Sequence, residues 1–205
     1  MTDPVAAAPP ENAAAPKKPA PATTLLGRQA NAAFRWWASL QDDSPLADRR
    51  ARAVLRRADP AGAIEEESVI RLYRALVQAI PAPGQPPVTL RDADRSRLID
   101  RAMRLALVLP HVRANDGMLL ARKLGGHDAK EAKLSPLRLR ALLEARSTED
   151  IVRSFRRAVT LADRSVKVSD LARLLLDWES DRTRTNFVFA FHAADDFSPA
   201  RSDDD

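Results

Sequence analysis

Apolar residues recur every three or four positions through most of the chain between residues 24 and 194. This is the spacing of an amphipathic helix that buries one face. The clearest case lies in residues 65–80, whose apolar positions are Val69, Leu72, Tyr73, Leu76, Val77 and Ile80. No segment shows the strict alternation typical of a half-buried strand. The pattern therefore predicts an all-α fold.

Prolines, glycines and capping residues divide this region into about eight to nine predicted helices. The proline-rich stretch 81–87 is the strongest break, and Gly125-Gly126 is a candidate C-cap. Ser135-Pro136 and the pair Ser147/Asp150 are typical helix starts. The predicted helices span about 24–40, 46–58, 65–80, 91–109, 117–124, a segment beginning at 136, 147–162, 169–178 and 182–194.

Two helical bundle lobes and two tails are predicted along the chain. The division near residues 110–116 gives an N-terminal lobe over 23–113 and a C-terminal lobe over 114–194. Residues 1–22 are rich in Ala and contain six prolines, so we expect a disordered tail. The acidic residues 195–205 are predicted to be disordered as well.

Charge changes this picture because the predicted folded part is strongly basic. The whole chain carries +5, the tail 1–22 is neutral and residues 195–205 carry −4, which leaves +9 for residues 23–194. Such a body indicates a polyanionic partner, most commonly nucleic acid. The alternative is that the arginines form solvated faces or pair with neighbouring Asp and Glu.

Two predicted helices carry an apolar stripe on one side and arginines on the other, at 100° per residue. The second helix has Arg49, Arg52 and Arg56 opposite its stripe, and Arg50 and Arg57 on one flank. The helix over 147–162 has Arg153, Arg156 and Arg157 pointing away from its stripe. Two helices with such arginine-bearing faces predict a surface that binds the phosphate backbone of nucleic acid.

Further basic residues are candidates for the same surface. They are Arg122 and Lys123, Arg138 and Arg140 in a leucine-rich helix, and Arg184 in the first turn of the last helix. Positive charge opposes the helix dipole at that last position, which makes a purely structural role for Arg184 less attractive.

The aromatic residues are interpreted mainly as core. Trp37 shares a face with Phe34 and is predicted to be buried, whereas Trp36 could either be buried or stack on a base. Trp178, Phe187 and Phe191 are predicted to be core.

Signals for catalysis are weak in this sequence. The chain has no cysteine, its three histidines lie far apart, and no glycine-rich phosphate loop or HExxH pattern is found. We therefore expect neither an enzyme nor a metal or cofactor, although an active site assembled from distant residues stays open. The sequence shows neither a secretory signal nor an apolar run long enough to span a membrane, so a cytoplasmic location without membrane contact is expected.

A helix-turn-helix is the rival motif. Leu120-Ala-Arg-Lys-Leu-Gly125 could form its first helix and turn, with a recognition helix over residues 127–133. The strongest helix start comes later, at Ser135-Pro136, which disfavours this interpretation.

The succession of these segments resembles the CasB family, the small subunit of the type I-E CRISPR complex Cascade. The resemblance covers residues 24–194. It rests on an aromatic first helix (Phe34-Arg-Trp-Trp-Ala-Ser-Leu40), an Arg-rich second helix (Arg52-Ala-Val-Leu-Arg-Arg-Ala58), and five later segments at 69–76, 120–125, 134–143, 151–159 and 168–178. The two tails depart from the family pattern.

The resemblance implies an all-helical, non-catalytic subunit that is usually present as a pair. It implies as partners the other Cascade subunits, a second copy of the chain, the guide RNA and the target DNA with its displaced non-target strand. Its implied role is to stabilise the R-loop through a basic surface that includes Arg56, Arg57, Arg122, Arg138, Arg156 and Arg157. A free-standing helical DNA-binding regulator and a helical protein-interaction scaffold are the alternatives.

Overall fold

The computed structural model describes residues 24–41, 48–125 and 132–192. Both predicted tails lie outside the described residues. Within them the chain forms α-helices, one short 3₁₀ turn and no strand, which confirms the all-α prediction. The elements are α1 (Leu25–Ser39), α2 (Arg49–Arg57), α3 (Pro60–Ala63), α4 (Glu67–Gln78), α5 (Asp92–Val108), the 3₁₀ turn Leu109–His111, α6 (Leu120–Leu124), α7 (Pro136–Glu144), α8 (Thr148–Leu161), α9 (Val168–Asp177) and α10 (Asp181–Phe191).

Side chains cap several of these helices, and the cap of α8 is the predicted one. The Ser147 hydroxyl accepts from the Asp150 amide at 3.1 Å at the start of α8, as its sequence predicts. Ser135 precedes Pro136 at the start of α7, also as predicted, but its side chain makes no capping hydrogen bond. The Asp48 carboxylate caps α2 by accepting from the Ala51 amide at 3.0 Å. Local polar chemistry thus determines where these helices begin.

Two local features differ from what the sequence predicts. The short helix α3 was not predicted, because Asp59-Pro60 ends α2 and also supplies the cap and first residue of α3. Helix α6 begins at Leu120 rather than Gly117, since Gly117 has φ 81° in a turn. Gly125 is the C-cap of α6, as predicted, but with φ −86° it does not adopt a left-handed conformation. A Cβ at Gly125 would instead overlap the Phe191 carbonyl, so the glycine is needed for close backbone approach.

Helix α5 is the centre of the packing. It contacts α4 on one side and α8 and α9 on others, while α1 packs against α9 and α4. The buried apolar side chains form one contiguous cluster that includes Leu72, Leu105 and Phe155. The predicted lobes therefore share core contacts, and the division near residues 110–116 stays a prediction.

Aromatic residues anchor this cluster. Trp36 and Trp37 are both buried, which settles the open choice for Trp36 in favour of core. Their indole N–H groups donate to the carbonyls of Ser68 at 2.8 Å and Val112 at 3.3 Å. Trp178 is fully buried and makes edge-to-face contacts with Phe155 and Phe187. Buried indole N–H groups usually find such acceptors, although that of Trp178 has none among the described residues. The three buried rings are not available for stacking on bases.

The segment after α8 turns sharply through two left-handed residues. Asp163 and Arg164 both have φ 58°, a conformation that side chains other than glycine adopt at a cost. The Arg164 carbonyl accepts from the Arg113 amide at 2.7 Å, and Lys133 forms an ion pair with Asp163 at 2.6 Å. These contacts hold the turn beside the 3₁₀ turn that ends in His111.

None of the helices in the described part of the chain has the length and apolar character that crossing a membrane requires.

Candidate nucleic-acid interface

An open cleft of about 700 Å³ lies between α7 and α8. We call it the basic cleft. Its floor is apolar and its charged residues are all basic, and none of its lining residues, all in the described part of the chain, is a carboxylate. The polar lining comprises His111, Arg138, Ser154, Arg156, Arg157, Thr160 and Arg164, and the apolar lining Leu134, Ala141, Leu142, Ala158 and Leu161.

His111 reports the electrostatic environment at the end of the cleft. Burial is the main cause that lowers its pKa to about 4, and the positive charges of Arg156, Arg56 and Arg164 add to the effect. The imidazole is therefore neutral at neutral pH. Arginines from α2, α8 and the left-handed turn converge here, so the structure brings together residues that lie far apart in sequence.

Arg156 does not point into solvent, and the predicted orientation of its side chain was wrong. Its guanidinium is half-buried and donates to the carbonyl of Leu107 at 2.8 Å, and to those of Leu55 at 3.2 Å and Ala58 at 2.8 Å. The carbonyls of Leu55 and Ala58 at the end of α2 have no partner within that helix. Arg156 satisfies them and ties α8 to α2 and α5, so it is first a structural residue.

Arg138 and Arg157 are the exposed arginines at the rim of the basic cleft. Neither forms an ion pair or a side-chain hydrogen bond with another residue that the structure describes. Arg157 also lines a second cleft of about 530 Å³, together with Arg153, Asp59 and Glu149. Arg153 lies 3.4 Å from the carboxylate of Asp150. The exposed arginines of α8 are therefore Arg157 and Arg153, and Asp150 partly neutralises the charge of Arg153.

The arginines of α2 divide into two groups. Arg49, Arg50 and Arg57 are exposed, whereas Arg52 and Arg56 are half-buried, contrary to their predicted place on the solvent face. Helix α2 packs against α5 and the 3₁₀ turn, which covers part of the side expected to be free. Arg50 lies close enough to Asp48 that its charge contributes, after the Ala51 amide and Arg71, to lowering the pKa of that carboxyl.

The remaining candidates do not line the basic cleft. Lys123 forms an ion pair with Asp116, and Arg140 pairs with Glu144 at 2.9 Å across one helical turn. Arg122 is exposed on α6. Arg184, whose side chain is only 11% exposed, pairs with Asp181 and donates to the Trp178 carbonyl at 2.7 Å.

Arg184 therefore has the structural role that its position seemed to disfavour. Asp181 in the same turn compensates the unfavourable position of the positive charge at the start of α10.

Arg164 and the cleft-lining role of His111 were not predicted from the sequence. Arg164 follows Asp163, and neither residue signals a left-handed turn as glycine would. Asp tolerates this conformation better than most residues, which is the only local hint. The position of Arg164 depends on the contacts of residues 113 and 133, which are distant in sequence.

Two features of the structure bear on a metal site and on the helix-turn-helix. Among the described residues, no group of three or more His, Asp or Glu side chains lies close enough to hold a metal ion. The recognition helix considered for a helix-turn-helix, residues 127–133, falls mostly outside the described residues, and α7 begins only at Pro136.

Fold and site together define an all-α protein with an open cleft whose charged lining residues are all basic. The profile of the family described as CRISPR-associated protein Cse2 matches residues 51–192, more than half of the chain. The chain belongs to this family, the CasB family, whose members are small subunits of the type I-E Cascade. Neither the curated proteins nor the solved structures that were compared with the chain gave a match.

Membership makes the chain a subunit of Cascade, which assembles with the other subunits of that complex. The match extends from α2 to the end of α10 and includes every residue that lines the basic cleft.

Proposed function

We propose that this subunit has no catalytic role and holds nucleic-acid backbone without reading its sequence. Within Cascade it stabilises the R-loop that forms when guide RNA pairs with target DNA, and it contacts the displaced non-target strand. A second copy of the chain is its partner in the complex. The observation that carries this proposal is the basic cleft, in which arginines converge without a neutralising carboxylate.

Arginine suits this task because its planar guanidinium binds a phosphate through two parallel hydrogen bonds. Arg138 and Arg157 are exposed at the rim of the cleft, and Arg164 lines it. Uncompensated guanidinium groups have the most to gain from a phosphate, since no existing ion pair must break first. Contacts to phosphate carry no sequence information, so binding without sequence preference is expected.

Modest contacts are sufficient for this function. R-loop formation exchanges a DNA duplex for an RNA–DNA duplex of similar stability, so protein–backbone contacts can tip the balance. Neutralising a few phosphates supplies such a contribution and makes it dependent on salt. The sequence specificity of the complex comes from base pairing.

The test is the affinity of reconstituted Cascade for target DNA with the double variant R138E/R157E. Both side chains are exposed, so we expect the subunit to fold and to assemble with the others. Target affinity is expected to fall at least tenfold, since two phosphate contacts are replaced by repulsion, each worth about 1 kcal/mol or more.

The matched control is R35E/R74E, which makes the same change in net charge on exposed positions of α1 and α4. This variant should keep most of the affinity. Equal losses in both variants would assign the effect to net charge alone, and unchanged affinity in R138E/R157E would reject the cleft as the binding site. A strong preference for one duplex sequence would favour the DNA-binding regulator instead.

A further inference from the structure

We propose that the acidic segment 195–205 of this chain binds in the basic cleft when nucleic acid is absent and thereby competes with nucleic acid for the same arginines. The segment would act as an internal competitor that nucleic acid must displace. The competition rests on the proposed function, whereas the binding of the segment to the cleft does not.

The basic cleft has the surface that an acidic segment with an aromatic residue requires. Arg138, Arg157 and Arg164 supply positive charge, and no lining residue offers a carboxylate. Beneath them lies an apolar floor, to which Leu134 and Leu142 contribute buried side chains. A phosphate backbone uses only the charged part of this surface. A peptide that carries both carboxylates and an aromatic ring can use both parts.

The C-terminal sequence supplies this combination. Residues 195–205 contain five Asp and one Arg, a net charge of −4, and Asp195-Asp196 immediately precedes Phe197. Two of the five Asp therefore adjoin an aromatic side chain, and the other three lie at 203–205. This local balance is opposite to the +9 carried by residues 23–194, so attraction between the two is expected.

The end of α10 lies close to residues that line the cleft. Helix α10 ends at Phe191, whose carbonyl packs directly against Gly125. The preceding Leu124 carbonyl accepts from the Leu134 amide at 3.2 Å, and Leu134 lines the basic cleft. One backbone contact and one hydrogen bond thus connect the end of α10 with the cleft. Three residues from His192 to Asp195 span up to about 11 Å when extended, so the acidic segment begins within that reach of the end of α10.

The bound segment would lower the apparent affinity of the subunit for nucleic acid that has no other contacts with Cascade. A tethered segment has an effective concentration on the order of millimolar, so even a weak contact with a dissociation constant near 0.1 mM would reduce apparent nucleic-acid affinity by about tenfold. A nucleic acid held by other parts of Cascade can displace the segment, because it gains additional contacts. Free nucleic acid meeting the isolated subunit gains no such contacts, so it displaces the segment only at a higher concentration.

The experiment measures binding of a random single-stranded oligonucleotide to the full-length chain at low salt. Changing all five Asp of residues 195–205 to Asn should raise the affinity by about tenfold, and D195N/D196N should give part of this increase. In the R138E/R157E background the same changes should raise it far less, because the segment has lost its site. The double variant E65Q/E67Q adds the same charge as D195N/D196N at exposed positions beside α4 and should have little effect.

A distance measurement detects the bound segment without relying on nucleic-acid binding. The chain has no cysteine, so spin labels can be placed at S198C and A141C alone. We expect a short, narrow distance distribution that lengthens and broadens on addition of oligonucleotide or in the five-Asn variant. A control pair with both labels on helices, S96C on α5 with A141C on α7, should keep the same distribution throughout.

The two proposals fail in different ways. A broad S198C–A141C distance distribution would overturn the competitor. So would an oligonucleotide affinity that does not rise in the five-Asn variant. If R138E/R157E still weakens binding, either result leaves the proposed function in place. A narrow distribution together with unchanged oligonucleotide and target affinity in R138E/R157E would reject the proposed function and would also overturn the competition between segment and nucleic acid. An equal gain in E65Q/E67Q and D195N/D196N would assign the effect to net charge and overturn the competitor.

Discussion

Two neighbouring arginines of α8 have different surroundings and should behave differently when changed. Arg156 donates to three backbone carbonyls, whereas Arg157 is exposed. We expect R156A to lower the free energy of unfolding by about 2–4 kcal/mol, since it removes charged donors and leaves carbonyls unsatisfied. R157A should stay within about 0.5 kcal/mol of the wild type. Urea unfolding of both variants checks this, and equal losses would contradict the assignment.

His111 provides a second test at the scale of a residue. Its pKa is about 4 in the folded chain against an ordinary value of 6.5. Because the folded-state pKa is depressed, the neutral imidazole is compatible with the fold above pH 6.5, and stability is lost as the pH falls from 6.5 to about 4. The variant H111N should lose less stability over this window.

Two measurements check the His111 prediction. Unfolding free energies of wild type and H111N between pH 7 and 4 give the difference directly. An NMR titration of the His111 ring should show its midpoint near 4. A midpoint near the ordinary value, or parallel pH profiles for the two proteins, would show that His111 is not held in a buried, positively charged environment.

At the scale of an element, two serines that precede helices offer a matched comparison. Ser147 caps α8 through its side chain, whereas Ser135 at the start of α7 makes no such bond. S147A should therefore destabilise the protein by about 1 kcal/mol, and S135A by much less. Thermal unfolding of the two variants compares them. Equal losses of stability in S147A and S135A would contradict the assignment of a side-chain cap to Ser147 alone of the two serines.

Helix positions were largely predictable because they depend on local chemistry. The segment 65–80 contains α4, and Ser147 marks the start of α8, as periodicity and capping residues indicate. The burial of side chains opposite the apolar stripe of each helix was less predictable. The half-burial of Arg56 and Arg156 depends on α2 packing against the 3₁₀ turn, a contact between segments distant in sequence. One helix considered alone cannot show this.

At the scale of the whole molecule, the basic cleft emerges only from tertiary contacts. The family resemblance assigned Arg138 and Arg157 to one basic surface, but the sequence did not indicate the cleft between them. The convergence requires α7 to pack on α8 and the turn at Asp163 and Arg164 to close against residue 113. The charge of +9 in residues 23–194 predicts a polyanionic partner, and the three-dimensional arrangement supports the proposal that this partner binds in the basic cleft.

The central claim is that the arginines of the basic cleft neutralise phosphates of a nucleic-acid strand. Its most direct test is the salt dependence of target-DNA affinity for Cascade reconstituted with R138A/R157A. Each lost phosphate contact with a single strand should reduce the slope of log K against log salt by about 0.7, so the double variant should lower it by about 1.4. Circular dichroism should show an unchanged helical fold. An unaltered slope and affinity in the folded variant would contradict the account.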